Sequence, residues 1–240
     1  MLNHEMILQY DESKCLECGF CSRVCPITTS IYGDVIKKTA IGTPKDMKMD
    51  SDKKIVVDTE KCIWCGSCSW ICPGYTLELI INGEKRIPLV ENDSLPEFKE
   101  QVRTLEDGRK IRKVVEGSIK ITSTEKDKKV LEEFADECAT GALSVEDNEI
   151  IVDEDLCILC FKCSDAAKKY DNIDVKVFRD RFMDVKGEPG SVWNAISERL
   201  LGKVGKLKGI ISRSQNKLAD AVMRLMGKEE EEEVEIKEGS

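Results

Sequence analysis

The chain has 240 residues, with 37 Lys and Arg against 46 Asp and Glu, a formal net charge of −9, and only 5% aromatics. That length fits one large or two small domains with modest apolar cores. The acidic balance excludes nucleic acid as a general partner, because phosphate binding needs a basic footprint.

In chain order, the lone histidine, His4, sits at a terminus, where a catalytic role is not expected. The strand-like run Leu8-Gln9-Tyr10-Asp11 leads into Cys15-x2-Cys18-x2-Cys21-x3-Cys25-Pro26. A long stretch, 27–54, contains Gly42-Thr43-Pro44 and reads as a loop insertion. The β-prone Ile55-Val56-Val57-Asp58 then precedes a second run, Cys62-x2-Cys65-x2-Cys68-x3-Cys72-Pro73. Residues 81–124 read as a β-rich connecting segment. Leu77–Ile81 and Arg86–Val90 flank an Asn82-Gly83 turn, while Gln101–Leu105 and Lys110–Val115 flank Asp107-Gly108. Glu125 to Glu137 carries Val130, Leu131 and Phe134 at helical spacing. Cys138 stands alone, and Ile151-Val152-Asp153 leads into Cys157-x2-Cys160-x2-Cys163.

Twelve cysteines therefore sort into three sets of four with none left over. Thiols at i, i+3 and i+6 wrap one turn of backbone around three corners of a cubane, and a fourth ligand comes from elsewhere. In the run C-x2-C-x2-C-x3-C-P the fourth cysteine serves the other cluster of a pair. Cys15, Cys18, Cys21 and Cys72 are thus expected to hold one 4Fe–4S cluster, and Cys62, Cys65, Cys68 and Cys25 a second. Cys138, Cys157, Cys160 and Cys163 are expected to hold a third. Zinc is disfavoured because its C-x2-C pairs normally stand apart. A disulfide framework is disfavoured because no charged-then-apolar leader opens the sequence. Three oxidised clusters at about −2 each would bring the charge to roughly −15, suited to basic patches on a redox partner.

The first two runs, with Cys18-Gly19 and Cys65-Gly66, resemble the bacterial-type ferredoxin family over roughly residues 5–80, and the third resembles it again over 127–180. The resemblance implies an α+β chain of two ferredoxin-like βαββαβ units, the second degenerate. Helical ferredoxin domains also separate their motifs widely, but Ile55-Val56-Val57 favours the βαββαβ form. Cys138-Ala139-Thr140-Gly141-Ala142 resembles the C-P-T-G-A that ends a ferredoxin's first motif. Counting from it, the ligand positions of a fourth cluster fall on Lys128, Leu131, Phe134 and Ala167, all non-ligands. One cluster of the second unit is therefore expected to be lost, with Leu131 and Phe134 filling its space. Phe161 replaces the usual glycine and Ala139 the usual proline, and Lys162 would raise the potential of a cluster nearby.

From Trp193, the residues Ile196, Leu200, Val204, Leu207, Ile211, Leu218, Val222 and Leu225 form a narrow apolar stripe on a predicted helix over 191–227, with Arg199 and Lys203 on its basic flank. Its expected surface is a partner subunit's groove, with an anionic membrane face second and the chain's own units third. Residues 228–240 are glutamate-rich and expected to be disordered. The expected organisation is 1–80 as a two-cluster domain, 81–124 connecting, 125–185 as a one-cluster domain, 191–227 as a docking helix and 228–240 as a tail. No apolar run approaches a membrane span, so a cytoplasmic location is expected.

No P-loop, dinucleotide fingerprint or H-E-x-x-H is present, so no substrate chemistry declares itself. The chain also resembles the polyferredoxin subunits of energy-converting hydrogenases and formylmethanofuran dehydrogenases. That resemblance implies a non-catalytic electron-transfer subunit, with other complex subunits, a soluble ferredoxin or a flavoprotein as partners. The alternatives are a freely diffusing ferredoxin and an oxidoreductase subunit with a further cofactor of its own.

Overall fold

The structure is a computed structural model that describes residues 5–27, 39–98, 102–183, 185–186, 192–193 and 195–201. Its first part runs strand, helix, strand, strand, helix, strand. β1 (Met6–Tyr10) is followed by α1 (Phe20–Val24), β2 (Ile41–Gly42), the turn α2 (Pro44–Met47), β3 (Val56–Val57), α3 (Ser67–Ile71) and β4 (Leu77–Ile81). β1 pairs antiparallel with β4, and β2 with β3. Each helix starts just before the third cysteine of a run and stops before the fourth, where Pro26 or Pro73 cannot extend it.

In the connecting region β5 (Glu84–Lys85) closes a hairpin on β4 over Asn82-Gly83. The strand expected over Arg86–Val90 is replaced by a helical turn, α4 (Pro88–Glu91). Pro88 has no N–H for a ladder, and its fixed φ suits a helix's first turn. Glu91 accepts from Ile87 N at 3.1 Å and pairs with Arg86, which holds the turn closed. β6 (Glu97–Phe98) follows, and β7 (Val102–Thr104) pairs with β8 (Lys110–Arg112) across the Asp107-Gly108 turn.

The later part repeats the same order: β9 (Val115–Ser123), α5 (Lys128–Asp136), β10 (Leu143–Glu146), β11 (Glu149–Val152), α6 (Lys162–Ala166) and β12 (Ile173–Phe182). β9 pairs with β12 and β10 with β11, so residues 115–123, expected in the connecting segment, form an outer strand of this unit's sheet. β13 (Val185–Lys186) then pairs with β6. The β9–β12 ladder shifts register between Arg179 and Arg181, opposite Gly117. A Cβ at Gly117 would lie 1.9 Å from the Phe178 carbonyl oxygen, so only glycine allows this approach.

α5 is a nine-residue helix capped by Asp127, which accepts from Lys129 N at 3.0 Å. Leu131 and Phe134 are buried with Leu143, Ala167, Ile173 and Val175, and Phe134 meets Tyr170 edge-on at 5.6 Å. The segment expected to have lost a cluster is an ordinary packed helix.

A larger core lies between the two repeats. Phe20, Val24, Trp70 and Ile71 meet Val114, Val115, Leu159 and Phe182 there. Residues 192–193 and 195–201 are helical, and Trp193, Ile196, Leu200 and Leu201 enter this core. Trp193 lies 4.4 Å from Phe182 and 6.1 Å from Trp70, centroid to centroid. The expected partner-facing stripe is corrected for these residues: its first turns cover the chain's own core. Helical spacing reports that one face is apolar, not which surface it meets. The rest of the expected docking helix, 202–227, and the tail 228–240 lie outside the described residues, as do His4 and residues 28–38 of the expected loop.

Candidate metal centres

The three cysteine loops share one backbone conformation. In each, the residue before the second cysteine and the residue after it have positive φ: Glu17 at 52° and Gly19 at 70°, Trp64 at 55° and Gly66 at 78°, Leu159 at 54° and Phe161 at 72°. Alternating left-handed residues curl the chain so that successive N–H groups point into the turn, an anion-holding concavity. The N–H groups accordingly donate to the thiols: Trp64 to Cys62 and Leu159 to Cys157, Phe20 to Cys18 and Lys162 to Cys160, Ser69 to Cys68 and Ser164 to Cys163. At Phe161 a side chain occupies a conformation that glycine takes at the two matching positions. That costs of order 1 kcal/mol or more, so something must offset it.

The aspartate before each loop fixes the approach. Cys62 N donates to Asp58 O and Cys157 N to Asp153 O, both at 3.0 Å, while the Asp11, Asp58 and Asp153 side chains accept from the intervening backbone.

Within each expected set the thiols lie within electrostatic reach of one another. Cys21 is within reach of Cys18, Cys68, Cys72 and Cys15, so it neighbours thiols of both the first and the second expected set. Cys68 lies beside Cys62, Cys65 and Cys25. Cys157, Cys160 and Cys163 all lie beside Cys138. The second group lines a hollow with about 420 Å³ of atom-free space, walled by Leu8, Ile41 and Trp64 and continuous with solvent. The third lines one of about 360 Å³ with Ile119, Leu143 and Val177. Among the described residues no three of His, Cys, Asp or Glu are gathered tightly enough to grip a single ion. Thiols arranged around a polynuclear cage stand farther apart than the ligands of one ion.

All twelve cysteines are free thiols. Burial pushes the Cys18, Cys21 and Cys68 thiols well up and the Cys163 thiol up to about 12, so without metal they stay protonated at neutral pH. Such a donor set is satisfied when iron supplies the positive charge, and loading it displaces protons. The residues present therefore fit the 4Fe–4S group.

Thiols of different expected sets also lie within electrostatic reach of each other: Cys21 of Cys68, and Cys18 of Cys160.

Three arginines that spacing did not single out as site residues reach the loops. Arg112 Nε donates to Cys72 O at 3.2 Å and Arg199 Nη1 to Cys25 O at 2.8 Å, so each helix that ends on a fourth cysteine has a cation at its negative end. Arg179, on β12, donates through Nε to Leu159 O at 2.8 Å. Arg179 was findable. Ile173, Val175 and Val177 alternate inward along the strand, and the next inward position is an arginine.

The positions that the counting assigns to a fourth cluster behave differently. Lys128, Leu131 and Phe134 sit on regular helix, not on a curled loop. Cysteines placed at Lys128, Leu131, Phe134 and Ala167 together are expected to leave iron at about twelve per chain. Iron analysis showing about sixteen would mean that α5 opens into a ligand loop.

Residues 7–73 match the family model described as a 4Fe-4S dicluster domain. No curated protein matches the chain significantly. Among solved structures the chain resembles one in the formate dehydrogenase–heterodisulfide reductase–formylmethanofuran dehydrogenase complex from Methanospirillum hungatei. The identity is 20%, the TM-score is 0.59, and the match covers 84% of this chain and 86% of that one. The dicluster match falls on the first two cysteine runs, so residues 7–73 are similar to iron–sulfur domains of the 4Fe–4S type.

Proposed function

We propose that the chain is an electron relay with three 4Fe–4S clusters in series, working as a non-catalytic subunit of a larger oxidoreductase. The ligand sets are Cys15, Cys18, Cys21 and Cys72 (cluster I), Cys62, Cys65, Cys68 and Cys25 (cluster II), and Cys138, Cys157, Cys160 and Cys163 (cluster III). They sit in two ferredoxin-like units, the second keeping one cluster. When bound, the clusters supply one-electron redox chemistry. The chain's residues hold them, exclude water on the sides walled by Leu8, Ile41, Leu143 and Leu159, and donate N–H groups to their sulfurs.

The observation that carries this reading is that Cys21 lies within electrostatic reach of Cys68 and Cys18 of Cys160, which supports the order II–I–III for the three sets. The fold shared with a chain of a multi-subunit redox complex supports the subunit reading over a freely diffusing carrier. A cytoplasmic setting suits twelve reduced thiols. Among the described residues no helix is long and apolar enough to cross a membrane. Anaerobic reductive titration tests the relay: about three electrons per chain are expected, one per cluster. Uptake of about two would leave cluster III redox-silent and break the line.

A further inference from the structure

Arg179 is 2% exposed. Its guanidinium lies 4.5 Å from the Phe20 ring centroid and 4.5 Å from that of Phe161. Phe20 stands between Cys18 and Cys21, and Phe161 between Cys160 and Cys163. The cation is therefore sandwiched between the loop of cluster I and the loop of cluster III. Nε donates to Leu159 O, Nη1 donates to Leu200 O at 3.1 Å, and Nη2, though buried, has no hydrogen-bond partner among the described residues.

A buried guanidinium is costly unless an anion compensates it. Among the described residues no carboxylate pairs with Arg179. The other charged side chain acting on it is Arg23, of like sign. Burial works against the charge, but an arginine keeps its proton inside proteins. Beside it lie Cys18 and Cys160, one from each proposed ligand set, which would carry negative charge as thiolates once iron is bound. Two aromatic faces add cation–π attraction, strongest where water is excluded. This also accounts for Phe161: its ring closes one side of the sandwich, offsetting the strain of a non-glycine residue at φ 72°. The register shift and Gly117 let β9 approach β12 at the point where Arg179 turns inward.

We propose that Arg179 is a fixed counter-charge shared by clusters I and III, raising the potential of both and holding them as a matched pair in the relay. Each reduction adds one negative charge to a cluster. A cation fixed between two of them, in a site of low dielectric, favours the reduced form of either. Its free Nη2 is a donor for cluster sulfur. The cysteines acting on Arg179 are Cys160 and Cys18, neither of them in the set proposed for cluster II.

The proposal rests on the three-cluster reading, and iron content separates the two. EPR-monitored potentiometry on the full-length, cluster-loaded protein is the test, with Arg179→Met as a neutral filler and Arg179→Gln as a neutral residue that keeps a donor for Leu159 O. In whichever variant keeps wild-type iron, the potentials of clusters I and III are expected to fall while that of cluster II holds. Arg179→Lys, which keeps the charge, is expected to restore most of the loss. Full iron with unchanged potentials at I and III overturns the proposal. So does a lysine variant that falls as far as the neutral ones, since packing and not charge would then be responsible. A wild-type chain with only two clusters' worth of iron would remove the underlying reading instead.

Discussion

The Cys138→Ala protein is expected to purify with about eight iron and eight sulfide per chain in place of about twelve of each. Cys138 sits at the end of α5, half-buried, with Thr140 Oγ1 3.5 Å from its sulfur. It is the only member of its group not on the Cys157–Cys163 loop, and it closes the hollow from the far side. Three thiols on one loop leave a cubane corner open to solvent, the condition under which iron is lost. The ligand sets proposed for clusters I and II include no residue beyond 72, so their signals are expected to persist. Retention of about twelve iron would make Cys138 a buried structural thiol, a common place for free cysteine. The third group would then need another ligand.

Trp193→Ala carries the largest expected stability loss, about 3–5 kcal/mol. The indole is buried against Phe182 and Trp70, and Trp70 is itself anchored by Nε1 donating to Pro96 O at 2.8 Å. This cluster joins the first repeat, the second repeat and the C-terminal helical residues. Emptying its centre therefore loosens the contact between the two repeats, and with it the proposed neighbouring cluster sites. Unfolding of a metal-loaded chain is not two-state, so the effect is best read as faster iron release to a chelator under mild heating. An unchanged release rate would show that residues 192–201 do not share the core.

Much of the site is legible in the sequence because thiolate geometry constrains spacing so tightly. Three groups of four, the crossing of Cys25 and Cys72, and the erased positions at Leu131 and Phe134 all follow from counting. Other features were not legible, for physical reasons. Pro88 was read inside a strand because its apolar neighbours outweighed its missing N–H, yet the structure turns there into α4. Trp193, Ile196 and Leu200 were read as an outward stripe, since periodicity cannot say whether an apolar face meets a partner or the chain's own core. Arg179 was passed over because charge in a strand is normally solvated. Its inward phase after Ile173, Val175 and Val177 was the available sign. Val115–Ser123 was placed with the preceding hairpins because strand pairing at a distance leaves little trace in local pattern.

The central claim is that three cubanes lie in line within one chain. Iron and acid-labile sulfide analysis of anaerobically purified protein, with an EPR spectrum of the dithionite-reduced sample, addresses it most directly. About twelve iron and twelve sulfide are expected, with S = 1/2 signals broadened by interaction between neighbouring clusters. About eight of each, with signals from one interacting pair only, would contradict it and leave Cys138, Cys157, Cys160 and Cys163 without a cluster.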